Sequence, residues 1–250
     1  MNMNMIKTTH SDKRYEVLID RPQQRNAINA AMYTEMKAAL LAAAADPECR
    51  AVILSGAGGH FTAGNDLKDF QAPRDENDSP ALAFLRTLAD LDIPVIAAVE
   101  GQAVGIGVTL LQHCDFVYAS ETARLRMPFV ALGLCPEGGS SLLMAQIAGS
   151  RNAARWLLAA EPFDARQACE AGLVTAVSAA GQALADARAQ ADTLAKLPVA
   201  ALRLTKHMLK QAQREPLARA FDNERDNFRA RLQSAEAQDA FRRFFAREKG

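Results

Sequence analysis

The sequence predicts an α/β fold built on a largely parallel sheet, and three observations support this prediction. Short apolar runs of strand length alternate with segments of helical periodicity up to about residue 180. Two of these runs, Ala51 to Ser55 and Val95 to Val99, are almost entirely apolar, as expected of strands covered on both faces. The chain also has 250 residues, of which 49% are hydrophobic, so it can bury a sizeable core.

The other predicted elements of this core can be placed in order. Tyr15 to Ile19 is a β-prone run, and Asn29 is placed to cap a helix from Ala30 to about Ala45. Leucines at helical spacing predict a helix over Leu82 to Leu91, and Gly101 to Gln112 is interpreted as a tight turn that enters a helix. The remaining predicted strands are Phe116 to Ala119 and Val174 to Val177.

Helices dominate the sequence after Gly139. Asp164 and Gln167 form a capping box at the start of one of them, and Gly172 provides its stop. Four more helices are predicted, over residues 181–197, 198–214, 216–232 and 234–248. We therefore divide the chain into an α/β core, residues 1–195, and a C-terminal helical region, residues 196–250.

The composition excludes several classes of function. With 29 basic and 29 acidic side chains, the chain lacks the basic excess that binding to nucleic acid or to an anionic membrane requires. Its four cysteines form no CxxC pair and no disulfide framework, which favours a reducing compartment. We find neither a signal peptide at the start nor an apolar run of about 18 residues, so we expect a soluble, cytoplasmic protein.

Two segments combine an apolar strand, a turn rich in glycine and a helix: AVILSGAGGHFTAGNDL and PVIAAVEGQAVGIGVTLL. A dinucleotide fingerprint requires the spacing GxGxxG, which Gly101, Gly105 and Gly107 do not have, although Glu121 follows at a suitable distance. A phosphate-binding P-loop is excluded, because no Gly-Lys-Ser/Thr follows the glycines. Each turn could instead donate one backbone N–H to a developing oxyanion, or the glycines could simply allow close packing.

A third segment, MPFVALGLCPEGGSSLL, places Glu137 directly before a helix. A glutamate in the first turn of a helix is favoured by the helix dipole and needs no catalytic role. A carboxylate in apolar surroundings would, however, have the raised proton affinity that a general base requires. Both interpretations of Glu137 remain open on this segment alone.

Taken together, these segments resemble the crotonase superfamily, also called the enoyl-CoA hydratase/isomerase family. The resemblance rests on RPQQRNAIN, HFTAGNDLKDF, IPVIAAVEGQAVGIGVTLLQHCDFVYAS and PFVALGLCPEGGSS, in this order and spacing. The AGNDL and PEGGSS strings are most similar to the Δ3,Δ2-enoyl-CoA isomerases of the peroxisomal type. The resemblance implies a crotonase-like spiral of ββα turns, with a C-terminal helical region that mediates assembly into a homotrimer or a dimer of trimers.

The resemblance also implies roles for individual residues. The backbone N–H groups of Asn65 and Ile106 would bind the thioester oxygen of an acyl-CoA, and Glu137 would be the catalytic base. Ala63 would contact the adenine through its backbone, and Arg25 would lie near the phosphates of coenzyme A. The full set of positions carried over as substrate-binding is Arg25, Ala63, Gly64, Asp66, Leu67, Gly105 and Phe129. No metal or separate cofactor is implied, since coenzyme A is part of the substrate.

The same comparison favours an isomerase over a hydratase. The two glutamates of the hydratases correspond here to Thr109 and Phe129, so both are absent. A shift of the double bond from C3 to C2 needs only one base that serves both carbons, and Glu137 is the carboxylate in the matching string. Other enolate chemistry on an acyl-CoA, such as hydration or thioester hydrolysis, and a noncatalytic acyl-CoA-binding module are the alternatives.

Four further residues are interpreted as structural. Asp66 is expected to fix its loop by hydrogen bonds, and Glu100, at a strand end before Gly101, to orient the turn that follows. His113 and Cys114 have no third metal ligand at suitable spacing, which favours core packing.

Overall fold

The computed structural model of the chain describes residues 5–71 and 78–247. Its main sheet has six strands, in the spatial order β1 (Ile6–Ser11), β2 (Arg14–Ile19), β3 (Ala51–Gly56), β4 (Val95–Val99), β6 (Phe116–Ser120) and β9 (Ala176–Ser178). The first two strands form an antiparallel hairpin, and each later pair is parallel. The predicted α/β fold is therefore confirmed.

A second, smaller sheet contains β5 (Gln102–Val104), β7 (Arg124–Arg126) and β8 (Phe163–Asp164). Neither these strands nor β1 is predicted from the sequence, because they are short or have mostly exposed residues and so lack a clear apolar pattern. The interpretation of residues 101–112 as a turn that enters a helix is wrong in its first part. A strand occupies residues 102–104 before the helix begins at Ile106.

The helices surround this framework. They are α1 (Ala30–Ala45), α2 (Pro80–Asp90), α3 (Ile106–Thr109), α4 (Ser140–Ala153), α5 (Ala165–Glu170), α6 (Ala183–Ala195), α7 (Val199–Gln211), α8 (Arg214–Leu232) and α9 (Ala235–Arg247). Short 3₁₀ turns occupy Pro22–Gln24, Leu67–Gln71, Leu110–His113 and Val130–Leu132. The predicted caps are confirmed: the Asn29 side chain accepts a hydrogen bond from Met32 N, and Asp164 with Gln167 forms a capping box. Glu248, the predicted end of the last helix, lies outside the described residues.

The central strands of the main sheet, β3 and β4, are buried on both faces, which explains why they are almost entirely apolar. In β3, Val52 and Leu54 belong to the larger core cluster, on the face covered by α1, whereas Ala51 and Ile53 pack with α6 on the other face. Because successive strand residues point to opposite faces, a strand covered on both sides must be apolar at every position. Over residues 5–71 and 78–247, no helix combines the length and apolar character needed to cross a bilayer.

The C-terminal helices are packed onto the α/β core. The ammonium group of Lys206, on α7, is buried and donates to the carbonyl of Ile93 and to the carboxylate of Asp115. Helix α8 packs against α2 and α4, and α9 contacts the turn at Val130–Leu132. The C-terminal region is thereby placed next to the segment that contains Glu137.

Candidate active site

Two of the predicted segments meet through backbone hydrogen bonds. Thr62 forms a parallel bridge with β5, in which Thr62 N donates to Gln102 O at 3.0 Å and Val104 N donates to Thr62 O at 3.1 Å. Gly64 follows with φ +94°, and a Cβ atom at this position would lie 2.7 Å from the carbonyl oxygen of Val104. Only glycine allows this close approach, which brings residues 64 and 65 against the start of α3.

Within the described residues, the N–H groups of Asn65 and Ile106 donate no hydrogen bond. On either side of Asn65, Ile28 N donates to Gly64 O and Asp66 N donates to Ile28 O, both at 2.8 Å, so the Asn65 N–H points away from this bridge. Ile106 is the first residue of α3 and follows Gly105, whose φ of +55° and ψ of −117° suit only glycine. The described part of the fold therefore leaves both N–H groups without an acceptor.

Asn65 and Glu137 both line a cavity of about 770 Å³, which we call the Glu137 cavity. Its wall comes from α1, the 3₁₀ turn at Leu67–Gln71, the start of α2, the turn before α4, and α8. The apolar part of the lining consists of Ala30, Phe70, Pro80, Ala81, Leu82, Phe221 and Phe228. A mainly apolar cavity of this size, with a few convergent polar groups, has the properties of a small-molecule site.

Glu137 is a partly exposed carboxylate on the wall of this cavity, and the hydroxyl of Thr109 donates a hydrogen bond to its Oε1 at 2.7 Å. Burial among protein groups raises its pKa to about 7, and the nearby negative charge of Glu224 acts in the same direction. The hydrogen bond from Thr109 opposes this shift because it stabilises the ionised form. A carboxyl group with this pKa exchanges protons readily near neutral pH.

The turn that carries Glu137 is fixed on several sides. Gly138 and Gly139 have φ values of +74° and +76°, and the hydroxyl of Ser140 donates to the carbonyl of Glu137 at 2.6 Å. The Nε2 atom of His113 lies 2.8 Å from the carbonyl oxygen of Gly138, and burial lowers the pKa of His113 to about 4. His113 is therefore neutral at physiological pH and donates this hydrogen bond through Nε2–H.

Two residues of the cavity are not predicted from the sequence. Tyr33, on α1, is buried and donates a hydrogen bond from its hydroxyl to Oδ1 of Asn65 at 2.7 Å. Burial raises its pKa well above the ordinary value, and the charges of Glu137 and Asp69 add to the effect. Glu224, on α8, also lines the cavity, and its carboxylate is buried. Both residues lie on helices. The sequence pattern of each helix predicts the helix itself but does not show that either residue faces a cavity.

The other sequence-predicted positions lie near the Asn65 loop. Ala63 N donates to the carbonyl of Arg25 at 2.9 Å, so these two residues are adjacent, and Leu67 is partly buried against the core. Phe129 is buried, with 4% of its surface exposed. Arg25, Ala63, Gly64, Asp66, Leu67, Gly105, Ile106 and Phe129 are not among the lining residues of the Glu137 cavity. Their contacts with a substrate stay predictions.

The structural interpretations of three residues are confirmed. Asp66 accepts hydrogen bonds from the guanidinium of Arg21 at 2.8 Å and from Lys68 N at 3.2 Å, which fixes its loop. Glu100 is structural as expected, but its carboxylate accepts from the backbone N–H groups that precede and begin α6, at Gly181 and Ala183, and not from the turn that follows it. His113 packs against the ring of Phe221, with ring centroids 5.7 Å apart.

Comparisons with known proteins identify related sequences and structures. The sequence model of the family described as Enoyl-CoA hydratase/isomerase matches residues 14–250. Enoyl-CoA delta isomerase 2 of Homo sapiens is 34% identical, over 97% of this chain and 64% of the human protein, so the chain spans less than two thirds of that relative. A probable enoyl-CoA hydratase of Rhizobium meliloti (strain 1021) is 33% identical, over 93% of this chain and 91% of its own.

The fold is also similar to solved structures. The crystal structure of an enoyl-CoA hydratase/isomerase from Pseudoalteromonas atlantica T6c superimposes with a TM-score of 0.94 at 34% identity, and the match covers 98% of each chain. The family match over nearly the whole chain, the similar fold and the arrangement around Glu137 lead to one conclusion. This chain belongs to the enoyl-CoA hydratase/isomerase family, the crotonase superfamily.

Proposed function

We propose that the protein is a Δ3,Δ2-enoyl-CoA isomerase that moves the double bond of an acyl-CoA thioester from C3 to C2 with Glu137 as its proton carrier. The observation that carries this proposal is the placement of Glu137, with a pKa of about 7, in the same cavity as Asn65. A hydroxyl group, that of Thr109, contacts Glu137 at the position where the resemblance assigns a glutamate to the hydratases.

The proposed reaction needs one base and one site for negative charge. The Glu137 carboxylate removes a proton from C2, and the electrons of that C–H bond form a dienolate whose charge collects on the thioester oxygen. The N–H groups of Asn65 and Ile106 donate hydrogen bonds to that oxygen. Protonated Glu137 then delivers the proton to C4, so the remaining double bond lies between C2 and C3 and the carboxylate is regenerated.

The environment of Glu137 suits both halves of this cycle. A base is most effective when its pKa lies near the working pH, since it must both accept and return a proton. An ordinary glutamate, with a pKa of about 4.3, would be a weak base towards a carbon acid. Burial of Glu137 brings its pKa to about 7 and so improves the match.

Hydration is the second candidate function, and two observations favour it. Relatives named as probable hydratases match the chain almost as well as the isomerase does. Glu224 is also a carboxylate of the cavity lining that lies close enough to act on the pKa of Glu137, and hydration uses two acid–base groups. Against hydration, both oxygens of Glu224 already accept backbone hydrogen bonds. Thioester hydrolysis and noncatalytic acyl-CoA binding remain further alternatives.

The experiment that tests the proposal compares two reactions of the same purified protein. We expect 3-enoyl-CoA thioesters to be converted to trans-2-enoyl-CoA, detected by the rise in absorbance of the conjugated thioester. We expect little formation of 3-hydroxyacyl-CoA from 2-enoyl-CoA in a parallel assay. Faster hydration than isomerisation would contradict the proposal, and binding of acyl-CoA with neither reaction would support the noncatalytic alternative.

Replacing Thr109 by Val is expected to shift the pH dependence of kcat to higher pH. The substitution removes the hydroxyl that stabilises ionised Glu137 while conserving shape, so the pKa of Glu137 rises further above 7. Activity depends on the ionised base, so the part of the profile in which kcat rises with pH is shifted to higher pH. A pH–kcat profile measures this shift, and an unchanged profile would contradict a role for Glu137 as the base.

We extend the proposal to the assembly and to binding of coenzyme A. We propose that the protein is a cytoplasmic homotrimer or dimer of trimers, in which the helices of residues 196–250 contribute to subunit contacts. We further propose that Arg25 and the backbone of Ala63 contact the coenzyme A portion of the substrate, which is bound without any metal or separate cofactor. Light scattering coupled to size-exclusion chromatography measures the mass of the assembly.

A further inference from the structure

Glu224 is a buried carboxylate that bonds to the turn carrying Glu137. Only 4% of its surface is exposed, and it lies on α8, in the C-terminal helical region. Its Oε2 accepts a hydrogen bond from Gly139 N at 2.6 Å, and its Oε1 accepts one from Ser141 N at 2.7 Å. Both carboxylate oxygens are therefore bonded to the backbone that directly follows Glu137.

These hydrogen bonds replace a local helix cap. Gly139 is the N-cap residue of α4 and has no side chain with which to cap the helix. The first N–H groups of a helix need acceptors, and a negative charge is favoured at this positive end of the helix dipole. A distant carboxylate supplies both, so the geometry of the turn at Glu137 depends on a residue in α8.

We propose that Glu224 is a positioning residue for Glu137, because it clamps the turn at residues 139–141 and keeps a negative charge beside the base. This proposal rests on the proposed function in one respect, the role of Glu137 as the catalytic base. Glu224 itself need not touch the substrate.

The groups around Glu137 determine whether the Glu224 charge raises or lowers its pKa. The groups of the described residues that act on Glu137 are the Thr109 hydroxyl, which favours its ionised form, and the Glu224 carboxylate, which disfavours it. Tyr33 is neutral, since its own pKa is raised well above the ordinary value. The other charged residues in the cavity lining are Asp69, Asp78, Arg225 and Arg229. Removal of the Glu224 charge should therefore lower the pKa of Glu137.

Two variants separate the effect of the Glu224 charge from the effect of its side-chain length. Glu224→Gln keeps the length of the side chain and one oxygen acceptor but removes the charge. Glu224→Asp keeps the charge but shortens the side chain, so it cannot bond both N–H groups in the same geometry. Glu215→Gln is the matched control, because Glu215 lies on the same helix, is exposed and pairs only with Arg219 within the described residues.

The experiment combines a titration with steady-state kinetics. The pKa of Glu137 is measured by ¹³C NMR on protein labelled at glutamate carboxyl groups, with the signal assigned by its loss in Glu137→Gln. We expect Glu224→Gln to lower this pKa and Glu224→Asp to leave it nearly unchanged. We expect Glu224→Asp to reduce kcat by roughly tenfold to a hundredfold, with KM within about twofold, because the base is displaced.

The outcomes distinguish this proposal from the proposed function. An unchanged Glu137 titration in folded Glu224→Gln would overturn the charge effect, and an unchanged kcat in Glu224→Asp would overturn the clamp. Should Glu224→Gln not fold, the kcat of Glu224→Asp, which keeps the charge and a carboxylate acceptor, still tests the clamp. If the wild-type protein does not isomerise 3-enoyl-CoA but the titration shifts as expected, the proposed function fails and the effect of Glu224 on Glu137 stands.

Discussion

Replacing Glu137 by Gln is expected to reduce kcat for isomerisation of a 3-enoyl-CoA by about 10²- to 10⁴-fold. The amide has nearly the shape of the carboxyl group but cannot accept a proton from C2 or return one to C4. The Thr109 hydroxyl still has an oxygen to which it can donate, so the turn should keep its geometry. The measurement is the rate of conjugated thioester formation at saturating substrate, at pH 8, where the wild-type carboxyl is ionised.

Glu121→Gln provides the control for this prediction, because Glu121 is an exposed carboxylate in the turn after β6 and should leave kcat unchanged. Binding of a saturated acyl-CoA to Glu137→Gln, measured by calorimetry, should stay within a few-fold of the wild type. Activity in Glu137→Gln above about a tenth of the wild-type value would show that another group moves the proton.

Gly64→Ala is expected to displace the Asn65 N–H, one of the two proposed oxyanion donors. A methyl group at this position would lie 2.7 Å from the carbonyl oxygen of Val104, so the loop at Asn65 must move away from the start of α3. Loss of a single donor to an oxyanion typically raises the barrier by about 2.7–4 kcal/mol, which corresponds to roughly 10²- to 10³-fold in kcat. Steady-state kinetics with the same 3-enoyl-CoA measures the loss.

Gly59→Ala is the control that separates the steric clash with Val104 from the strain of a positive φ. Gly59 also has a positive φ, of +77°, but a Cβ atom there meets no atom of the described residues within 4 Å. Both variants pay the conformational penalty of a non-glycine residue, while only Gly64→Ala displaces the Asn65 N–H. We expect Gly59→Ala to have a lower melting temperature and near-normal kcat. Equal losses of kcat in the two variants would contradict the role of the Asn65 N–H.

The parts of the site that follow from sequence are those encoded locally. The glycines at positions 64 and 105 mark tight turns at the ends of strand-like runs, and the structure contains positive φ values at both. Glu137 is recognisable because it stands between Pro136 and two glycines directly before a helix. Each of these signals lies within a few residues of the feature it encodes.

The parts that do not follow from sequence depend on contacts between distant residues. Tyr33 bonds to Asn65, 32 positions later in the chain, and its place on α1 resembles that of any buried residue on a helix. Glu224 belongs to a helix rich in charged residues, where a glutamate is expected to face solvent. The strands of the small sheet have only two or three residues, too few to show an alternating pattern.

The bond between Glu224 and Gly139 spans 85 positions of the chain, which bears on the order in which the protein matures during translation. The N-terminal part of the chain leaves the ribosome first. The segment that contains Glu137 therefore emerges well before Glu224, which accepts the hydrogen bonds of that segment. Until that acceptor arrives, the nascent polypeptide lacks two of the contacts that organise its reaction centre. The turn that carries Glu137 can therefore acquire these two contacts only after residue 224 has been synthesised.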